Sequence, residues 1–206
     1  MLSEKGRNRY PENMNFLAHL FLSRHNDDLM IGNYLGDFVK GPINGQFSPI
    51  INSGIRLHRQ IDSFTDSHPI RIEQRKLFSK KRRRYAGVIL DVAYDHFLSR
   101  NWAEFSTESR TRFIKTVYQV LDYHSEIFPT RASFFLDWMI TADALNRYHH
   151  LRGIESTFQL MSRRGRTHAA LIGASSEIRE NYELIGAGFM TFFPDLIDQV
   201  SVWGKP

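Results

Sequence analysis

The chain has no cysteine. That excludes disulfides, zinc–thiolate sites and thiol nucleophiles, and it accords with a reducing compartment. It also lacks any apolar run near the ~18 residues that a membrane-spanning helix requires. The leading stretch, Met1 to Asn13, is polar and has no apolar segment of the kind a signal peptide carries. The expected location is the cytoplasm. Convincing strand alternation, internal repeats and low-complexity segments are missing too.

What is present is core material. Of 206 residues, 42% are hydrophobic, with sixteen Phe, eight Tyr and three Trp, enough for a buried core and against intrinsic disorder. Apolar residues recur at helical spacing in Phe16/Leu17/Leu20/Phe21, Val88/Ile89/Val92/Phe97, Phe113/Val117/Val120/Leu121, Phe134/Phe135/Trp138/Met139/Ala142 and Phe158/Leu160/Met161. A last long helix is expected to carry Ile178, Tyr182, Ile185, Phe189, Phe192 and Phe193 and to end before Pro194. Breaks are expected at Lys40–Gly45, at Ser67-His68-Pro69 and at Phe128-Pro129-Thr130. The reading is an all-α, single-domain bundle of about eight or nine helices. It starts at Met14, with residues 1–13 a tail or an upstream start.

Net charge is +5 and unevenly spread: Lys80-Lys81-Arg82-Arg83-Arg84 is an unbroken basic run, and Arg163, Arg164 and Arg166 form a second. Such runs suit an acidic partner. Solvated loops between helices would carry them equally well.

The chemistry lies in two rows. His58, Asp62 and Asp66 stand four residues apart, and four residues advance a helix by about 400°. All three therefore share one face. Asp91 and Asp95 repeat the spacing, with His96 next to them. His19 and Asp37, each set in an apolar stretch, add to the donor set. Mixed His and Asp ligands suit Mn²⁺, Mg²⁺ or Fe²⁺, with zinc possible. A cation would also compensate carboxylates placed in an apolar bundle. Plainer roles compete: Asp62 and Asp66 could pair with Arg59 or cap the helix restarting at Pro69, and His19 could be a core histidine. Gly32 and Gly36 read as sites of close helix packing.

Four segments, Asn15–Leu20 (NFLAHL), Gly32–Gly41 (GNYLGDFVKG), Gly54–Pro69 (GIRLHRQIDSFTDSHP) and Arg84–Leu98 (RYAGVILDVAYDHFL), resemble the bacterial acyl carrier protein phosphodiesterases. The likeness runs from Met14 to about Trp102 and continues weakly to Met161–Arg164. It implies an all-helical, HD-like, Mn²⁺-dependent hydrolase that releases 4′-phosphopantetheine from holo-acyl carrier protein, an acidic protein. Carried over by position, Asp37, His58, Asp62, Asp95 and His96 become the metal ligands, with Asp66, Asp91 and His19 orienting them. Arg59 and Lys40 would offset phosphate charge, and His68 would be the proton donor. Lys80, Lys81, Arg82, Arg83, Arg84, Arg163 and Arg164 would dock the carrier protein. The adjacent His-Asp pair of HD proteins is replaced here by His58 and Asp62 four apart and by a reversed Asp95-His96. Two rivals are an HD-like phosphohydrolase acting on nucleotides and a non-catalytic module that binds acidic partners.

Overall fold

A computed structural model describes residues 15–43, 45–163 and 166–203. The expected boundary between a tail and a domain starting at Met14 lies outside these residues, as does Arg164. The described chain is all-α, with twelve α-helices and no strand. These are α1 (Phe16–Leu22), α2 (Asp27–Leu35), α3 (Pro49–Ser67), α4 (Pro69–Gln74), α5 (Ala86–Arg100) and α6 (Trp102–Phe105), then α7 (Arg110–Tyr123), α8 (Thr130–Thr141), α9 (Ala144–Arg147), α10 (Leu151–Ser162), α11 (Ala174–Glu180) and α12 (Tyr182–Trp203). None of the described helices is long and apolar enough to cross a membrane.

The count exceeds eight or nine because α6 and α9 are single turns of four residues, too short to leave a periodic pattern. The last segment also divides differently from expectation. It breaks at Asn181, whose side-chain amide donates to the Glu177 carbonyl, and α12 then runs straight through Pro194. Pro194 cannot donate a backbone hydrogen bond. Phe189, Phe192 and Phe193 before it and Leu196 and Val200 after it are all buried, so packing carries the helix across the gap.

The helix starts follow local chemistry. Asn26 accepts from the Leu29 N–H to begin α2, and Ser48 accepts from the Ile51 N–H to begin α3, with Pro49 in the first turn. His68 closes α3 and caps α4 through Nδ1, again with a proline first.

Helix α5 runs through the centre. Nearly every residue from Ile89 to Ser99 is buried, and the helix packs on α1, α10 and α12. Helices α2 and α3 approach each other closely. A Cβ on Gly32 would lie 2.0 Å from the Ile51 carbonyl oxygen, and one on Gly54 would lie 2.3 Å from that of Leu29. Backbone meets backbone there, so nothing can yield.

Gly54→Ala should therefore destabilise the protein by at least about 1–3 kcal/mol, the usual cost of overpacking. Gly87→Ala is the control, because its Cβ would meet only the flexible Arg75 guanidinium at 3.4 Å. Chemical denaturation of the two variants measures the difference.

Candidate metal centre and its cavity

The row on α3 runs from the core to the surface. His58 is 4% exposed, the Asp62 side chain 38% and the Asp66 side chain 70%. His58 fits against α2 because residue 36 is glycine: a Cβ there would stand 2.2 Å from His58 Cγ. Asp37, just beyond it, is buried with Oδ1 3.9 Å from His58 Nε2. Helix α1 adds His19, whose ring stacks on that of His58 with centroids 4.2 Å apart.

Asp62 lies between the two imidazoles. Oδ1 is 3.3 Å from His19 Nε2, and Oδ2 is 3.3 Å from His58 Nε2. One donor atom from each of the three residues falls within a 4.8 Å span. Asn33 sets the orientation of His19: its amide N–H donates to the His19 carbonyl (2.8 Å), so its Oδ1 accepts from His19 Nδ1–H (2.9 Å). That fixes Nε2 as the nitrogen facing Asp62. His58 Nδ1 has no hydrogen-bond partner, so stacking, Gly36 and the carboxylates at Nε2 hold that ring.

The electrostatics follow. Burial alone would lower the His19 pKa, but the hydrogen bond and charge of Asp62 outweigh it and raise it to about 9. Burial alone would raise the Asp62 pKa, yet hydrogen bonds and charge from His19 and His58 hold it well below the usual carboxylate range. Burial pushes Asp37 up, against the opposing charge of His58. A proton on His19 Nε2 lies between the ring and Asp62 Oδ1. Two imidazole nitrogens converging on a carboxylate, with a second carboxylate close by, fit a divalent metal of the Mn²⁺, Mg²⁺ or Fe²⁺ kind.

Above this cluster is a cavity of about 250 Å³, lined by Asp62, Thr65, Asp66 and Asp91 and by Arg75, Arg83 and Arg84. Asp91 is held by Arg71, which is fully buried and also donates to the Gly87 carbonyl. Burial raises Asp91 to about 6, against the pull of Arg71. Asp66 pairs with Arg75 at the mouth.

The other residues singled out in the sequence stand elsewhere. Asp95 accepts the backbone N–H groups of Leu17 (2.9 Å) and Ala18 (2.8 Å), so it caps α1 and is not among the three donors of the cluster. His96 is engaged at both nitrogens, Nδ1–H donating to the Tyr148 carbonyl and Nε2 accepting from the Tyr182 hydroxyl. Arg59 donates to the carbonyls of Val39 and Gly41, holding the loop after α2 rather than either aspartate. His68 caps α4, has Nε2 3.3 Å from Asp195, and packs on Phe64 and Phe192, outside the cavity lining. Lys40 is exposed.

The basic run divides as well. Arg82 pairs with Glu177 and donates to the carbonyls of Ala170 and Ile172, an internal staple. Lys80, Lys81, Arg83 and Arg84 stay exposed, as does Arg163. Three contributors were not picked out from the sequence: Asn33, Arg71 and Arg75. Asn33 had a signal, a lone amide inside the apolar run Met30–Leu35. The two arginines looked like any charged surface residue.

The fold and the site together define an all-helical protein with a candidate divalent-metal centre beneath a cavity lined by aspartates and arginines. The family described as acyl carrier protein phosphodiesterase matches residues 14–196. A relative of that name from Photorhabdus laumondii is 36% identical over 187 residues, 90% of this chain and 94% of its own. Another, from Yersinia enterocolitica, is 37% identical over 187 residues, covering 90% and 97%. No solved structure matches. The chain belongs to the acyl carrier protein phosphodiesterase family, a family of hydrolases.

The raised His19 pKa has a testable sign. The folded state holds this proton more tightly than the unfolded one, so its stabilisation is complete below about pH 6.5 and is lost as pH rises through about 9. In chelated buffer the melting temperature should fall over that window, and His19→Gln should flatten the slope. An unchanged slope in the variant would assign the proton elsewhere.

Proposed function

We propose that the chain is a metal-dependent phosphodiesterase that cleaves the bond between the serine of holo-acyl carrier protein and 4′-phosphopantetheine, giving apo-acyl carrier protein. One observation carries the reading. The His19–His58–Asp62 cluster, with Asp37 beside it, meets at Asp62 a cavity whose wall carries three arginines and three aspartates, within the residues that the family matches.

His19 and His58 through Nε2, and Asp62 and Asp37 through their carboxylates, are the proposed metal ligands. Mn²⁺ is the expected ion, and Mg²⁺ and Fe²⁺ suit the same donors. When bound, such a cation polarises a phosphoryl oxygen, lowers the pKa of a water and stabilises charge on the departing serine oxygen. The protein's own groups do the positioning. Asn33 keeps His19 Nε2 turned to Asp62, and Asp95 holds the helix that presents His19. Arg83 and Arg84 at the cavity attract the phosphodiester, while Arg71 fixes Asp91 in its wall. Kinship with the HD phosphohydrolases belongs to the same proposal. So does docking of the acidic carrier on Lys80, Lys81, Arg83 and Arg84.

Intact mass spectrometry of holo-acyl carrier protein incubated with the protein and Mn²⁺ tests this. The carrier should lose the mass of its phosphopantetheine arm, and should keep it with chelator or with Asp62→Ala. Asn33→Ala should cost about 10–100-fold in activity, as loss of a ligand-orienting partner does. His96→Gln should leave the metal content of the folded protein unchanged. An intact carrier with metal bound, or cleavage of nucleotides with no carrier present, overturns the substrate assignment. Raising ionic strength should increase KM more than it lowers kcat, since steering by exposed charge is screened over roughly 10 Å at 0.1 M salt. A KM indifferent to salt removes the basic run from docking.

A further inference from the structure

A larger cavity, of about 780 Å³, opens on another side of α5. It shares no residue with the cavity beside Asp62. His96 and Arg100 line it, five and nine residues after Asp91 on α5. At about 100° per residue these positions are turned some 140° and 180° from Asp91. What binds here does not touch the His–Asp cluster.

The lining is one-signed. Arg100, Arg147 and Arg152 face the cavity with His149 and His150, and no carboxylate lines it among the described residues. None of the three arginines makes a salt bridge among the described residues, whereas Arg71, Arg75 and Arg82 each have an acid. His149 donates Nδ1–H to the Ser99 carbonyl, which leaves Nε2 turned to the Arg100 guanidinium at 3.3 Å. The ring thus holds one arginine in place at the rim. Helix α10 begins at this cavity after His150, which gives it no side-chain cap, so the positive end of a twelve-residue helix adds to the field. Its close approach to α9 requires Gly153, where a Cβ would stand 2.0 Å from the Arg147 carbonyl oxygen. The arginines therefore sit on a fixed frame. Burial lowers the pKa of both His96 and His149, and neighbouring arginines lower it further, as uncompensated positive charge should.

We infer that this cavity is a second binding site, separate from the hydrolytic one, for a small molecule carrying two or more phosphate groups. Three guanidiniums with no acid partner among the described residues exceed what one phosphate needs, and guanidinium forks match phosphate oxygens in pairs. The volume lies in the range of small-molecule sites. The inference does not depend on the substrate assigned above.

Titration calorimetry with pyrophosphate, orthophosphate and adenosine diphosphate tests it, in chelated buffer at fixed physiological salt so that no metal can recruit the ligand. Pyrophosphate and the diphosphate should bind with a stoichiometry of one, more tightly than orthophosphate. The double variant Arg147→Gln/Arg152→Gln should bind at least about tenfold more weakly. Arg83→Gln/Arg84→Gln, in the other cavity, should bind as the parent does. Both pairs are exposed, and matching melting temperatures confirm that the variants fold. Absence of saturable binding overturns the site, and so does loss confined to the Arg83/Arg84 variant. If the Arg147/Arg152 pair instead weakens carrier-protein binding while no phosphate compound binds, the face docks protein and the small-ligand assignment falls.

Discussion

The site depends on a contact between two backbones. Gly32 and Gly54 let α2 and α3 cross with their main chains touching, and no side chain keeps them apart. That distance decides what comes next. One turn beyond Gly32, just past the end of α2, is Gly36, which faces the His58 ring, and after it Asp37, which approaches the His58 nitrogen. Asn33, adjacent to the crossing, reaches α1 and orients His19. A wider crossing would separate Asp37 from His58, and would draw His19, which Asn33 ties to α2, away from Asp62 on α3. Three of the polar groups that organise the centre are thus placed by two missing side chains.

The charges then fall into three sets. The first is the imidazoles and aspartates that neutralise one another through hydrogen bonds and charge, the condition under which a buried carboxylate is tolerable. Arg71 forms the second. It is wholly buried and spent on Asp91, though its Nε and Nη1 find no acceptor, a cost the fold sustains to keep that carboxylate in the wall. Arginines that touch solvent come last, where positive potential can act at a distance. A negatively charged group approaching from outside meets attraction first and fixed geometry afterwards.

Much of this was legible in the sequence, and the limits have physical causes. The four-residue spacing of His58, Asp62 and Asp66 sufficed to place them on one face, because that follows from the helix itself. The close-packing role of Gly32 was readable for the same local reason. The partners were not. That Asn33 orients His19, that Asp95 turns to α1, and that Arg59 takes loop carbonyls instead of an aspartate all depend on contacts between distant segments. Asp95 and His96 are neighbours in sequence, yet a rotation of about 100° sends one to cap a helix and the other toward a separate cavity. Pro194 reads as a terminator, but it lies within a helix that buried phenylalanines hold together. Spacing reports the face of a helix and leaves open what that face meets.

The bond from Asp95 to the start of α1 spans 78 residues. Helix α1 has only seven residues, and its own N-cap position, Asn15, makes no capping bond, so in isolation it would not hold its shape. Its helicity is borrowed from α5. The start of α1 is thus held by α5 and its His19 by Asn33 of α2, so the centre needs both helices in place. A chain still emerging during synthesis, with α5 not yet made, would have His58 and Asp62 on their helix and no competent centre. The hydrolytic activity therefore comes into being with the finished fold.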